Sequence, residues 1–173
     1  MRSFGACLLL TLLAVSADAA DGWTPFLDPF GNFGVEFQRL PSAARMAGNS
    51  LLGENVPIIT YSVQDGPNLM MVEDVPVLDR TSPSSVVVDR FAKRIIADAA
   101  SKSSIVQSDM TDMLDGQLGR RLSILRPDGN LVTSRVFYFN AHVYWLVTIT
   151  QGGNPARTAD ALHFSESLHL TAQ

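Results

Sequence analysis

Three turn signals between residues 104 and 150 constrain this chain more than any other feature. Asp115-Gly116 supplies the positive φ angles of a type I′ turn, whose twist matches that of flanking strands. Pro127-Asp128-Gly129-Asn130 is a second turn, with proline pre-set for an early position and glycine free to turn left-handed. Asn140-Ala141 is a weaker third. Between these turns lie SIVQSDMTDML, GQLGRRLSILR, LVTSRVFYF and HVYWLVTIT, the last two rich in β-branched and aromatic residues. The stretch predicts a four-stranded antiparallel meander.

A two-residue loop at Asn140-Ala141 sets a register. Val132 then faces Ile149, Ser134 faces Val147, Val136 faces Trp145 and Tyr138 faces Val143, and this face is almost wholly apolar. The opposite face pairs Thr133 with Thr148, Arg135 with Leu146 and Phe137 with Tyr144. It is mixed, so the expectation is a face part covered and part wet. A slip of one residue would exchange the two faces. The register between 118–126 and 131–139 stays open, because neither loop length gives a clean apolar row.

The rest of the chain reads as elements added to this meander. Residues 20–32 hold two prolines and two glycines and are expected as an irregular arm carrying Trp23, Phe26 and Phe30. Phe33–Phe37 alternates and predicts a first strand. Residues 42–54 are expected as a loop. Val56–Val63 and Asn68–Val75 predict a hairpin through Gln64-Asp65-Gly66-Pro67, with Met70 and Met71 on opposite faces as gap-fillers. Ser82-Pro83 signals the start of a helix running to about Ala100, with Ser82 as its cap. Val87, Phe91, Ile95 and Ala99 form its buried stripe, while Arg90, Lys93 and Arg94 lie on its solvated side. Asn154-Pro155 starts a second helix, about 155–165, with Ala159, Leu162 and Phe164 inward. Ser167–Leu170 reads as a short closing strand. Residues 33–173 thus form one α/β domain, a mainly antiparallel sheet with helices packed on its faces.

The N-terminus sets an expected compartment. Met1-Arg2 is a basic start, CLLLTLLAV an apolar run of secretory length, and Ala17-Asp18-Ala19 a small-residue cleavage signal. Residues 1–19 therefore read as a signal peptide, and the mature protein as periplasmic or secreted, without a membrane span. The sole cysteine, Cys7, falls inside that segment, so the mature chain has no disulfide and no thiolate chemistry. A net charge of −4 argues against nucleic-acid binding, which needs basic surface to displace counterions.

A search for chemistry ends without a catalytic, cofactor-binding or metal-binding constellation. His142, His163 and His169 lack the spacing that places two ligands on one helix face. No Gly-x-Ser-x-Gly elbow is present. Asp109, Asp112 and Asp115 lie near one another, but one is a turn residue and nothing in the sequence makes the others a hydrolytic pair. Gly152-Gly153 precedes a helix without the lysine or the glycine spacing of a phosphate loop.

The order strand, hairpin, helix, four-stranded meander, helix and short strand resembles the PsbP-like fold. Local features that carry the resemblance are Phe33-Gly34-Val35-Glu36-Phe37, Gly119-Arg120-Arg121 leading a strand, Val143-Tyr144-Trp145-Leu146, and Phe164-Ser165-Glu166-Ser167-Leu168. The fold is shared by the extrinsic PsbP subunit of photosystem II, by Ran-binding Mog-type proteins and by small bacterial envelope proteins. These are chiefly binding or assembly proteins, and the resemblance carries no functional residue over. It implies a non-catalytic exported protein that binds a protein partner or assists assembly of an envelope complex. The expected contact residues are Trp23, Phe26 and Phe30 on the arm, and Arg135, Phe137 and Tyr144 on the mixed face. Two alternatives are a carrier with an apolar pocket between helix and sheet, and a hydrolase using acidic residues.

Overall fold

The meander forms where its turns demand it. In the computed structural model, which describes residues 22–49, 52–53, 55–152 and 154–171, β6 (Ile105–Leu114), β7 (Gln117–Leu125), β8 (Leu131–Phe139) and β9 (His142–Thr150) follow one another as antiparallel neighbours. The expected signal segment 1–19 and Gly153 lie outside the described residues. Asp115 and Gly116 have φ of 49° and 78°, and Asn140 and Ala141 of 50° and 63°. Both central residues of each turn are left-handed, as a type I′ turn requires. Ala141 pays a steric penalty there, and its carbonyl accepts a 2.8 Å hydrogen bond from the Val77 N–H that pins the turn. The β8–β9 register pairs Val132 with Ile149, Ser134 with Val147, Val136 with Trp145 and Tyr138 with Val143. The register left open by the sequence pairs Arg120 with Val136, Leu122 with Ser134 and Ile124 with Val132.

Three more strands extend this sheet. β3 (Ser42–Asn49), β4 (Asn55–Asp65) and β5 (Asn68–Pro76) complete the order β3-β4-β5-β9-β8-β7-β6, antiparallel throughout. The expected loop over 42–54 is corrected here, since β3 pairs with β4 along its whole length. The expected irregular arm over 20–32 holds a strand within its described part. Thr24–Leu27 forms β1, which pairs with β2 (Phe33–Phe37), and β10 (His169–Leu170) pairs with the other side of β2. Pro25 is tolerated because β1 is the outer strand of this small sheet, where a missing N–H costs no ladder bond.

Helix α1 (Ser84–Ser101) buries Val87, Val88, Phe91, Ala92, Ile95 and Ala99 and packs on β6, β7 and β8. Full burial of a Val, Ile or Phe side chain contributes about 1.5–3 kcal/mol, so this stripe anchors the helix. Pro83 holds its N-cap position without a side-chain cap bond. Ser82, the expected cap, donates its hydroxyl instead to Asp79 at 2.7 Å, as does Thr81. Helix α2 (Pro155–Glu166) is capped by Asn154, whose side chain accepts from the Arg157 N–H. Its inward residues are Ala161, Phe164 and Ser165; Ala159 and Leu162 face solvent.

The central sheet is thus covered on both faces. α1 lies over Leu122, Ile124, Val136 and Val143. The small sheet and α2 lie over Tyr61, Val72, Phe137, Tyr144 and Leu146, contributing Phe33, Val35, Phe37 and Phe164. The mixed face expected to be part wet is therefore a second core: Thr148 is 2% exposed, Arg135 4%, and Phe137 and Tyr144 are fully buried.

Candidate functional site

The acidic residues of the meander are each held by a partner. Asp109 receives two bonds from Arg120, at 2.9 and 2.5 Å, and the same guanidinium reaches Asp89 on α1 at 3.1 Å. Asp115 accepts the Leu170 N–H at 2.8 Å and so fastens β10. Asp112 accepts from Arg135 Nε at 2.6 Å and Arg121 Nε at 3.3 Å. Burial pushes the Asp112 carboxyl up, but the bonds and charges of Arg135 and Arg121 outweigh it and hold it below the ordinary carboxylate range. Arg121 and Arg135 are opposite residues of paired strands, and Asp112 offsets their repulsion. These carboxylates serve structure, tied into ion pairs and a strand contact.

Arg135, Phe137 and Tyr144 come together as expected, but inside the domain. The Arg135 guanidinium lies 5.0 Å from the Phe137 ring centre and donates to the Ser165 carbonyl at the end of α2. The Tyr144 hydroxyl is buried with no hydrogen-bond partner among the described residues. Tyr61 donates to Asp28 at 2.9 Å, and Asp28 also accepts the N–H groups of Phe30 and Asn32. Burial first, and then nearby Asp28 and Asp74, raises both the Tyr61 and Tyr144 phenols well above their ordinary value.

The arm divides between core and surface. Phe26 packs among Phe33, Phe37 and Tyr61, and Trp23 stacks on His163 with 4.1 Å between ring centres. Phe30 and Leu27 stand out at 59% and 61% exposure. His163 also meets Glu36 at 2.6 Å, and His142 meets the buried Asp74 at 2.5 Å, so these histidines sit in separate pairs. Among the described residues no three His, Cys, Asp or Glu side chains are placed to share a metal ion, and no helix is long and apolar enough to cross a membrane.

Two surfaces carry unassigned apolar area. The first is β6, an outer strand of the large sheet, with Ile105, Met110 and Met113 more than half exposed. The second is a groove of about 630 Å³ between the C-terminal half of α1, the β7–β8 turn and the sheet. Ile95 and Ala99 form one wall, Ile124, Val132 and Trp145 the centre, and Met71, Val147 and Ile149 the far side. Trp145 is fixed there by its Nε1–H to Ser134 Oγ and by an edge contact with Phe91. The rim carries the ion pairs Lys102–Asp98 at 2.7 Å and Arg126–Asp128 at 3.3 Å. Sequence reasoning placed Ile95 and Ala99 in the core, where they lie, and offered a pocket between helix and sheet only as an alternative, without its lining. The available signal was the apolar row continuing onto β9 and β5, beyond the strands that one 18-residue helix covers.

No protein-family model matches the sequence, and no curated protein matches it. Among solved structures, the chain is similar to the solution structure of cyanobacterial PsbP (CyanoP) from Synechocystis sp. PCC 6803. The TM-score is 0.59 at 14% identity, over 96% of this chain and 98% of that one. The chain has the PsbP-like fold.

Proposed function

We propose that the protein is an exported, non-catalytic binding protein that docks on a protein partner, in the manner of an assembly factor of the cell envelope. Export rests on the signal-like segment 1–19. The observation that carries the docking reading is the β6 edge. It is a ten-residue outer strand that, among the described residues, pairs with a strand on one side only. Natural edges are blunted by charges, prolines or bulges, and β6 has a register shift between Val106 and Ser108 that leaves the run from Ser108 to Leu114 regular. Here Asp109 and Asp112 are neutralised by arginines of β7 and β8, and Ile105, Met110 and Met113 stay exposed. Such an edge suits an extended partner segment added as a further strand, with apolar side chains giving specificity. Leu27 and Phe30 on the arm supply a second apolar contact.

Affinity capture from envelope extract, with the mature protein as bait, tests this reading. A partner is expected with the wild type and with a Leu27→Ser/Phe30→Ser variant at reduced yield. It is expected to be lost with Met110→Glu/Met113→Glu. Equal recovery by all three proteins would remove the edge from the interface, and no partner with any of them would remove the reading.

A further inference from the structure

We propose that the groove between α1 and the sheet binds a single-chain amphiphile with a zwitterionic head group, of the phosphocholine or phosphoethanolamine kind. This is a site apart from the β6 edge, and it stands whether or not that edge binds a protein.

Shape and lining come first. A volume of about 630 Å³ lies within the ~300–1,000 Å³ of small-ligand sites, which are mostly apolar with a few placed polar groups. The walls and floor are Ile95, Ala99, Ile124, Val132, Trp145 and Ile149, with no charged side chain among them. Such a surface takes a hydrocarbon chain, each buried methylene being favourable. The groove is open along one side, so a flexible chain enters without a lid. An indole already locked by Ser134 and Phe91 offers a rigid face at little entropic cost.

The rim selects the head group. Among the described residues, the charges bordering the groove belong to two exposed pairs, Lys102–Asp98 and Arg126–Asp128. Exposed pairs of this kind hold weakly and exchange readily with a competing charge. A head carrying one positive and one negative group can meet an aspartate and a cation of the rim together. A fatty-acid carboxylate gains a lysine or arginine but faces two aspartates. A quaternary ammonium alone meets the reverse problem. A sugar head replaces neither pair. Charge complementarity therefore favours the zwitterion over all three.

Trp145 reports directly on occupancy. In a Trp23→Phe background it is the sole indole, so a blue shift of its emission reads chain burial in the groove. Dodecylphosphocholine, laurate, dodecyltrimethylammonium and dodecylmaltoside are titrated below their micelle concentrations. The zwitterion is expected to shift the emission at the lowest concentration. Val132→Phe, which fills the groove, is expected to abolish the shift; its far-UV circular dichroism shows whether it folds. Asp98→Asn/Asp128→Asn changes only exposed rim groups. It is expected to move the preference from dodecylphosphocholine toward laurate by about fivefold, the effect of two exposed charge contacts. No shift with any amphiphile overturns the site. Equal binding of all four, or an unchanged preference in the rim variant, overturns the head-group assignment.

Discussion

Replacing Arg135 by methionine tests whether the second core depends on one buried ion pair. The side chain is 5% exposed and its partner Asp112 11%. Methionine restores much of the stem volume over Phe137 but returns no charge and no donor. The Asp112 carboxylate would keep the Met113 N–H, at 2.9 Å, and Arg121, at 3.3 Å, as its one cationic partner, and the Ser165 carbonyl would lose its buried donor. Breaking a buried pair by removing one member typically costs about 3–5 kcal/mol, against a total stability of roughly 5–15 kcal/mol for a domain. Urea unfolding followed by circular dichroism measures it directly, with the slope checked for two-state behaviour. The double variant Asp112→Leu/Arg135→Met is expected to recover most of the loss, because it leaves no uncompensated buried charge and Arg121 can turn to water. The pH dependence carries a sign. Asp112 has a lowered pKa in the folded state, so its contribution is present above the unfolded value of ~3.9 and is lost as pH falls through the folded one. The gap between wild type and Arg135→Met should therefore narrow below about pH 4. A loss under ~1 kcal/mol at neutral pH, closer to an exposed pair, or a gap independent of pH, would refute the reasoning.

Gly119→Ala places a Cβ 2.4 Å from the Phe137 ring and 2.5 Å from the Val136 carbonyl, neither free to move, and should cost about 1–3 kcal/mol in thermal or urea unfolding. Gly34→Ala meets only the exposed His169 ring, at 2.3 Å; the ring can swing aside, and a loss as large as that of Gly119→Ala would be a surprise to the packing argument. Tyr61 and Tyr144 have phenols raised above the ordinary ~10, so the folded state disfavours phenolate and stability falls as pH rises through the unfolded value. Their phenolate absorbance should appear together with loss of the circular dichroism signal, not before it. Asn154→Ala removes the α2 cap and is expected to cost about 1 kcal/mol; an unchanged melting temperature would show that Pro155 alone starts the helix.

The parts of the fold governed by local chemistry were legible in the sequence. Asp115-Gly116 favours I′ geometry, and the two-residue loop at Asn140-Ala141 fixes the register although Ala141 is strained there, so every expected β8–β9 pair forms. The α1 stripe follows from a period of four. What escaped depends on neighbours distant in sequence. β3 reads as a loop because its small residues and Gly48-Asn49 have little strand preference; β4 supplies the ladder that orders it. β1 contains a proline and forms because β2 offers an edge. Arg135 suggests water until Asp112, 23 residues earlier, is seen beside it. A pocket between helix and sheet was one alternative reading, but its position was not legible, since helix and floor share an apolar pattern that does not say where one stops covering the other.

The small sheet has a consequence for how the chain reaches its final state. Its central strand β2 is flanked by β1 near the beginning of the described chain and by β10 at its end. Thr171 and Leu170 complete the closure through bonds to Asn32 and Asp115. A nascent chain can pair β3 through β9 as they emerge, but it cannot zip β10 onto β2 until the segment after α2 is free. Until then the cover over Phe33, Phe137 and Tyr144 lacks Phe164, Leu168 and Leu170. Closure of the small sheet therefore waits on the segment that lies farthest from β2 in the sequence.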